Sequence, residues 1–467
     1  METGAAQPIA RWECVILAGV TAAALFLRLY ALDRIPSVVF HDECDNLVNV
    51  YQILHGRGPG FFGIDWKPQP AASIYIVSLA VRGAMSVFSL RAVTALFSVA
   101  ALVPYYLLLR RAVSTPAALL ASWLLATDIW YLHFSRAGWD NVFVCVPATA
   151  ALLSIDGAVA TGRIRHFAWA GVWSAIGAYG YPAGRLILPA VVLAGVIGLL
   201  TRRAERRRMG AGIVMTVGVA LALCVPQVPT ALHDWDRYLS RVRSVFVFAG
   251  DNEQKSAPEK VGAVLTNFAD KSMQLFTDWI PKPKDEFPER YLRAEDGAFA
   301  RPTVVLLICG MLMSVTSRRW LSAARLWWLF LLVLLFGTQA LTAGSSLNGA
   351  RGIAFVPILY LFVGLALQQI WAVGRRWGRL GTGLVIAVVL ALSAWTTLQY
   401  FRWVQSPETL DALQPAIPVE EFPAWQARAW QWTGETDGFY NLTMWEADKR
   451  ALADSGRWPP AESQPAR

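Results

Sequence analysis

Apolar stretches of about twenty residues recur along the whole chain, and they constrain its fold more than any other feature of the sequence. An α-helix crosses the hydrocarbon core of a bilayer with about 20 apolar residues. Charged residues make up only 16% of the 467 residues, whereas soluble domains contain about 25%. The sequence therefore predicts an all-α polytopic membrane protein.

The arginines between the apolar stretches predict which of these stretches cross the membrane. If every stretch crossed, the arginine clusters would lie on both sides, although basic residues favour cytoplasmic loops. The segment 70–90 carries Arg82 near its centre, so we interpret it as a helix that lies on, or re-enters from, the external face. Eleven spans then remain, with a cytoplasmic N-terminus and an external C-terminus: 14–30, 92–109, 115–134, 141–160, 167–180, 185–200, 210–229, 302–317, 325–342, 353–373 and 380–400.

This topology divides the chain into two parts. Residues 1–400 form a multi-span domain whose external loops are 31–91, 135–140, 179–185, 230–301 and 343–352, and residues 401–467 form an external tail with several tryptophans. We expect the tail to contain a small helical appendage. We expect the protein to be a multi-pass component of a bacterial-type inner or plasma membrane.

Charge and cysteine content exclude several classes of function. The net charge of +9 resides mostly in short arginine clusters between spans, so it indicates topology and not nucleic-acid binding. The five cysteines show no CxxC spacing, so neither a zinc site nor a disulfide framework is predicted. The sequence contains no phosphate-binding glycine loop, which argues against an ATP-driven pump.

Four polar motifs meet on the predicted external face. Ionisable residues at the ends of membrane spans are costly to hold and indicate a functional site. The motifs are His41-Asp42-Glu43, Asp65-Trp66-Lys67-Pro68, Arg136-Ala137-Gly138-Trp139-Asp140 and Tyr181-Pro182-Ala183-Gly184-Arg185.

These motifs resemble those of the C-type (GT-C) membrane glycosyltransferases that use polyprenyl-phosphate sugars, in the branch of the protein O-mannosyltransferases and lipid A aminoarabinose transferases. The shared pattern is an Asp-Glu pair in the first external loop, a Lys-Pro element before the next helix, an Arg-x-x-x-Asp in the second loop and a later Arg, here Arg351. The resemblance implies a GT-C-like fold of about 11 transmembrane helices with external re-entrant or amphipathic helices.

Chemistry assigns a role to each candidate residue. Glycosyl transfer from a lipid phosphate needs a base for the acceptor and cations for the departing phosphate. We predict Asp42 as the general base, with Glu43 orienting a partner, because adjacent helical residues point about 100° apart. The predicted phosphate-binding residues are Lys67, Arg136, Arg185 and Arg351, and the predicted substrate-binding residues are Asp140 and Tyr181.

Each assignment has a structural alternative. Asp42 could be an ordinary anion at a helix start, and Arg136 with Asp140 an ordinary i,i+4 pair. Tyr181 lies in a sequence typical of a tight turn. Lys67 and Arg351 could be interfacial cations.

The sequence thus predicts a hexosyl or pentosyl transferase that takes a sugar from a polyprenyl-phosphate donor. Its partners are that donor, a lipid, glycan or protein acceptor and membrane lipids. Side-chain cations suffice for a monophosphate, so we predict no cofactor; the alternative is a divalent ion bound by Asp42 and Asp140. A transporter or flippase of lipid-linked sugars is the alternative function, and a membrane scaffold is a third.

Overall fold

The computed structural model describes residues 9–65, 68–82, 84–248, 254–276, 299–343, 347–405, 416–436 and 438–455. Helices dominate these residues, and their one sheet pairs the antiparallel strands β1 (Val38–Phe40) and β2 (Ala416–Pro418). The helices are α1 (Arg11–Leu29), α2 (His41–Leu54), α3 (Ala72–Val81), α4 (Val87–Ala100), α5 (Leu102–Leu109), α6 (Thr115–Thr127), α7 (Ile129–Arg136), α8 (Cys145–Thr161), α9 (Ile164–Gly180), α10 (Ile187–Thr201), α11 (Arg206–Cys224), α12 (Val228–His233), α13 (Trp235–Val245), α14 (Ala257–Gln274), α15 (Arg301–Thr316), α16 (Arg318–Leu335), α17 (Gly349–Gly352), α18 (Val356–Arg376), α19 (Gly378–Trp403), α20 (Phe422–Thr436) and α21 (Leu442–Asp454).

The predicted all-α polytopic class is confirmed. Within the described residues, eight helical stretches are long and apolar enough to cross a membrane, or nine if the bent pair α6 and α7 forms one span. These nine coincide with predicted spans. The other two predicted spans correspond to α9 and α15, which have 17 and 16 residues. Within the segment 70–90, the structure describes the ten-residue helix α3 and the first turn of α4, and α3 is too short to cross a bilayer.

Paired arginines gather at one end of the bundle, which we call the basic end. Arg110 contacts Glu13 at 2.7 Å, so the end of α5 lies beside the start of α1. Arg111 contacts Asp156 on α8 at 2.7 Å. Arg202 donates hydrogen bonds of 2.6 Å to the carbonyls near the end of α8. These contacts place two arginine clusters that we predict to be cytoplasmic, those of Arg110-Arg111 and Arg202, at one end.

The opposite end, which we call the site end, carries α2, α13, α14 and the C-terminal residues. The two shorter predicted spans, α9 and α15, also connect both ends. Helix α9 starts beside the basic end and finishes at Gly180, next to the loop of Tyr181. Helix α15 follows Phe299, whose ring lies 5.4 Å from Trp130 on α7 at the site end. Both helices therefore run the length of the bundle.

A break between α6 and α7 bends this span by 55°. Asp128 lies at the break and caps α7 by accepting the N–H of Tyr131 at 2.9 Å, and its other oxygen accepts the hydroxyl of Tyr360 at 2.7 Å. Arg28 donates to the carbonyl of Ala126, which would otherwise lack a helical partner. The bend redirects the chain toward the 3-10 turn Asp140–Val144.

The long loop predicted at 230–301 contributes α13 and α14 to the site end. On α14, the buried Lys271 donates to the carbonyls of Gln339 and Thr342 at 3.0 Å each. The side-chain amide of Gln339 bonds both backbone groups of Asn348, and Asn348 caps the short helix that carries Arg351. Helix α14 thus helps to fix the position of Arg351.

The C-terminal residues pack onto the site end. Strand β2 pairs with β1, and α20 packs against α2. Trp425 and Trp445, on α20 and α21, are buried and belong to the same apolar core as the bundle. The predicted tail therefore contains a helical appendage that joins the multi-span part.

Candidate functional site

The first turn of α2 separates the two adjacent carboxylates into different environments. Glu43 is completely buried and pairs with Arg91 at 2.7 Å. Its oxygens also accept the N–H groups of Phe40 at 2.9 Å and Gly138 at 2.7 Å. A carboxylate with this many partners has no room for a substrate hydroxyl, which fits an orienting group. Asp42 precedes it on the helix and is only half-buried.

The sequence analysis missed Arg91. Its guanidinium is completely buried, and besides Glu43 it binds the carbonyls of Leu32, Pro36 and Val38 at 2.6–3.2 Å. These carbonyls belong to the chain that leads from α1 into β1. A charged residue at the start of an apolar span was the signal that could have identified it. Arg91 therefore fixes the chain segment that leads to Asp42.

Arg136, predicted from the sequence to bind phosphate, lies inside the protein against the backbone. This side chain is completely buried. Its guanidinium donates four hydrogen bonds of 2.7–2.8 Å, to the carbonyls of Leu27, Arg28, Tyr30 and Ile35. The last carbonyls of a helix lack intrahelical partners. At the end of α1, Arg136 donates hydrogen bonds to these carbonyls. Arg136 therefore secures the backbone, and this geometry offers no support for a phosphate contact.

Four charged residues act electrostatically on Tyr181. Burial raises the pKa of Tyr181 well above its usual value, and the carboxylate of Asp140 raises the pKa further. Arg351 and Arg241 lower this pKa, whereas Asp42 raises it. All four charges therefore lie close enough to act on one hydroxyl, which stays protonated at neutral pH. We call these five residues the outer cluster.

Arg241 was not predicted from the sequence. It lies on the exposed side of α13, four residues after Arg237. This i,i+4 spacing places both arginines on one face of the helix, next to the end of a span. The repeated arginines directly after the seventh predicted span were the signal that could have identified it.

Hydrogen bonds between loops assemble the outer cluster. Asn46 on α2 donates to the carbonyl of Gly138 at 2.9 Å, which ties α2 to the turn before Asp140. Asn141 donates to the carbonyl of Ala350 at 3.2 Å, and Trp130 donates to the carbonyl of Gly349 at 3.0 Å. The segment that carries Arg351 is thus bound to the segment that carries Asp140.

Arg185 lies against α13, where its guanidinium stacks 5.1 Å above the ring of Tyr238. The predicted Lys67 falls outside the described residues. Asp65 and Gln69 are joined by hydrogen bonds of 2.9 Å, and Arg237 donates to the carbonyl of Asp65 at 3.4 Å. Asp65 is therefore anchored to the same helix as Arg241.

His41 pairs with a carboxylate on its own helix. Its ring nitrogen lies 3.3 Å from the carboxylate of Asp45, an i,i+4 contact. Among the residues that the structure describes, no group of three or more His, Cys, Asp or Glu side chains is arranged to hold a metal ion.

An apolar groove of about 450 Å³ lies between the loop of Phe61 and Phe62, the helix α9 and the end of α11. Ile176 and Leu223 line it and are also exposed on the apolar surface of the bundle. Tyr179 and Gly180, just before Tyr181 in the chain, also line it. The lining residues are Phe61, Phe62, Ala72, Ser73, Ile76, Phe97, Phe143, Val146, Pro147, Trp173, Ala175, Ile176, Tyr179, Gly180, Ala222, Leu223 and Pro226.

Comparison with known proteins identifies the fold. A family model described as dolichyl-phosphate-mannose-protein mannosyltransferase matches residues 67–229. ArnT from Cupriavidus metallidurans bound to undecaprenyl phosphate is similar with a TM-score of 0.55 and 13% identity, over 85% of this chain and 71% of that chain. The apo oligosaccharyltransferase of Archaeoglobus fulgidus is similar with a TM-score of 0.50 and 15% identity, over 91% of this chain.

This chain spans only 58% of the length of the archaeal protein. No curated protein matches it. The two solved structures are similar along most of this chain despite low identity, and the family match covers the part that contains Asp140, Tyr181 and Arg185. The resemblance expected from the sequence is therefore confirmed: the chain has the fold of the C-type membrane glycosyltransferases, and residues 67–229 match the protein mannosyltransferase family among them.

Proposed function

We propose that the protein is an integral membrane glycosyltransferase that moves a sugar from a polyprenyl-phosphate carrier to an acceptor. One observation carries this proposal: two carboxylates and two arginines act on Tyr181, and the residues directly before it, Tyr179 and Gly180, line an apolar groove. A lipid-linked sugar has a long apolar chain, a phosphate and a polar sugar in that order. In the proposal, the groove takes the apolar chain, the arginines take the phosphate and the carboxylates take the sugar.

The donor class also has support from similar proteins. ArnT from Cupriavidus metallidurans was solved with undecaprenyl phosphate, and the matching family model is described by a dolichyl-phosphate sugar donor. In this chain, the polyprenyl tail would occupy the apolar groove. Arg351 and Arg241 would bind the phosphate, because guanidinium groups suit phosphate oxygens in both charge and geometry. Lys67 and Arg185 remain candidates for contacts at its edge.

The proposed reaction needs no covalent intermediate on the protein. Asp42 takes the proton of the acceptor hydroxyl or amine, and the acceptor attacks the anomeric carbon of the sugar. The bond between that carbon and the phosphate oxygen breaks, and the electron pair leaves with the polyprenyl phosphate. Arg351 and Arg241 stabilise the negative charge that develops there.

Asp140 and Tyr181 would bind the sugar in this scheme. Tyr181 keeps its proton because burial raises its pKa, so its hydroxyl can donate a hydrogen bond to a sugar oxygen. The carboxylate of Asp140 can accept hydrogen bonds from sugar hydroxyls. Both side chains are half-buried and therefore remain partly accessible.

Product analysis separates this function from the alternative of a transporter or flippase. The purified protein would be reconstituted in liposomes with a polyprenyl-phosphate sugar labelled in the sugar. A transferase releases unlabelled polyprenyl phosphate and labels an acceptor. A flippase moves the intact labelled donor between leaflets, and that result would contradict the proposal.

We further propose that the site end faces the outside of a bacterial-type inner or plasma membrane and that the basic end faces the cytoplasm. Its support is the preference of arginine-rich loops for the cytoplasm. An impermeant thiol reagent should label Ser256→Cys, at the start of α14, on intact cells. It should label Ser317→Cys, between α15 and α16, only after permeabilisation, and the reverse pattern would invert the orientation.

A further inference from the structure

The C-terminal residues contact α2 at its beginning. Strand β2 pairs with β1 in a register that places Val39 opposite Ile417 and Phe40 opposite Ala416. The N–H of Val419 donates to the carbonyl of Ser37 at 2.9 Å. Phe40 is both the last residue of β1 and the residue that precedes the first turn of α2. The strand pairing therefore sets where the helix of Asp42 begins.

The same C-terminal residues contact α2 at its other end. The ring of Trp430 on α20 stacks on Tyr51 with a centroid distance of 4.5 Å and an angle of 17°. Arg57, just beyond α2, donates to the carbonyl of Thr433 at 2.7 Å. Within the bundle, the pairing of Glu43 with Arg91 and the hydrogen bond of Asn46 to Gly138 fix the first two turns of α2. A helix held at one end can pivot, whereas contacts at both ends also fix its axis.

Pairs of charged side chains inside the C-terminal residues hold them together independently of α2. Asp448 on α21 accepts hydrogen bonds of 2.7 Å from Arg428 on α20 and from Tyr440. Lys449 contacts Glu421 at 2.8 Å. Loss of a contact with α2 can therefore loosen the docking of this unit without unfolding it.

We propose that residues 416–455 form a clamp that positions α2, and through it the carboxylate of Asp42, for the transfer reaction. The clamp acts through α2 and is a positioning element, not a binding site for substrate. A misplacement of about 1 Å at a reacting group can reduce a rate by about 10²-fold. The consequence for catalysis rests on the proposed function, but the positioning of α2 can be measured without it.

The test compares two tryptophans on the same helix. Trp430→Ala removes the contact with Tyr51, whereas the control Trp432→Ala removes a half-buried ring that lies 6.3 Å from Tyr440 within the clamp itself. Hydrogen exchange of the amides of α2 reports on its local opening. Trp430→Ala should accelerate this exchange. It should also lower kcat about tenfold, which is less than the loss of about 10²-fold for a full 1 Å misplacement. The KM for the donor should change less than twofold. Trp432→Ala should leave both close to wild type.

A double-mutant cycle and a second variant secure the result. In a Tyr51→Ala background, Trp430→Ala should accelerate the exchange of α2 less than it does in the wild type, because the two substitutions share the contact between these rings. Arg57→Gln changes an exposed side chain and should accelerate exchange at the end of α2 with the fold intact.

Equal exchange in the Trp430→Ala and Trp432→Ala proteins would overturn the clamp. A wild-type protein that transfers no sugar would refute the proposed function, while the exchange data would still decide about the clamp.

Discussion

Five arginines of the site end form two layers that differ in burial and in partners. The inner layer consists of Arg28, Arg91 and Arg136, which are completely buried. Each of them donates to backbone carbonyls, and Arg91 also pairs with Glu43. The outer layer consists of Arg351, which is half-buried, and Arg241, which is exposed.

This difference separates arginines that hold the fold from arginines that can meet a substrate. A buried cation needs hydrogen-bond partners inside the protein, because removing it from water is costly. A cation that binds a substrate must instead be reachable. Arg136 and Arg351 look alike in the sequence, since both follow an apolar segment at the predicted external face. Only the structure shows that Arg136 binds four carbonyls and that Arg351 lies in the outer cluster.

The largest effect on stability is expected for Arg91→Ala. The substitution leaves the buried carboxylate of Glu43 without its cation, and breaking a buried pair in this way costs about 3–5 kcal/mol. Thermal unfolding in detergent would measure this loss. Replacing both partners by Met should recover much of the stability, because a buried pair and an apolar pair of similar volume are often equivalent. A fully stable Arg91→Ala protein would remove Arg91 from the inner layer.

Arg351→Ala should impair transfer and leave stability nearly unchanged. If Arg351 binds the donor phosphate in a desolvated site, its loss should cost about 2–5 kcal/mol in kcat/KM. Steady-state kinetics with a polyprenyl-phosphate sugar would measure this effect. Arg136→Ala is the matched control from the inner layer, and its main effect should be on unfolding. The opposite pattern would exchange the two assignments: transfer activity lost in a stable Arg136→Ala protein and retained in Arg351→Ala.

Arg241→Ala should have a smaller effect that depends on salt. Exposed ion pairs contribute about 1 kcal/mol or less, so kcat/KM should fall by roughly fivefold. Screening weakens exposed charges more than buried ones. The difference between the Arg241→Ala and wild-type proteins should therefore shrink between low and high ionic strength. A salt-independent loss greater than that of Arg351→Ala would place Arg241 deeper in the site than we propose.

The smallest effect is expected from chelators. The outer layer supplies two guanidinium groups, which can neutralise the charge of a phosphate monoester-type leaving group without a metal ion. Transfer activity after treatment with EDTA should stay within about twofold of the untreated protein, which is less than about 0.4 kcal/mol. A loss that Mg²⁺ or Mn²⁺ reverses would support the alternative in which Asp42 and Asp140 share a divalent ion.

The sequence predicts the membrane class well, because hydrophobic length and arginine position depend on local composition. It also predicts that Asp42 and Glu43 differ, since adjacent helical residues point in different directions. It does not predict the partner of Glu43, because Arg91 lies 48 residues away in the chain. Arg241 is missed for the same reason: its approach to Tyr181 depends on how α13 docks, which no local pattern specifies.

The most direct test of the account measures Asp42→Asn in single turnovers at saturating donor. The substitution keeps the size of the side chain but removes its basicity, and the loss of a general base typically reduces the rate by about 10²–10⁴-fold. The account predicts this loss together with an unchanged dissociation constant for the donor, whereas Glu43→Gln should act mainly through reduced stability. Full transfer activity in folded, donor-binding Asp42→Asn protein would contradict the assignment of Asp42 as the base.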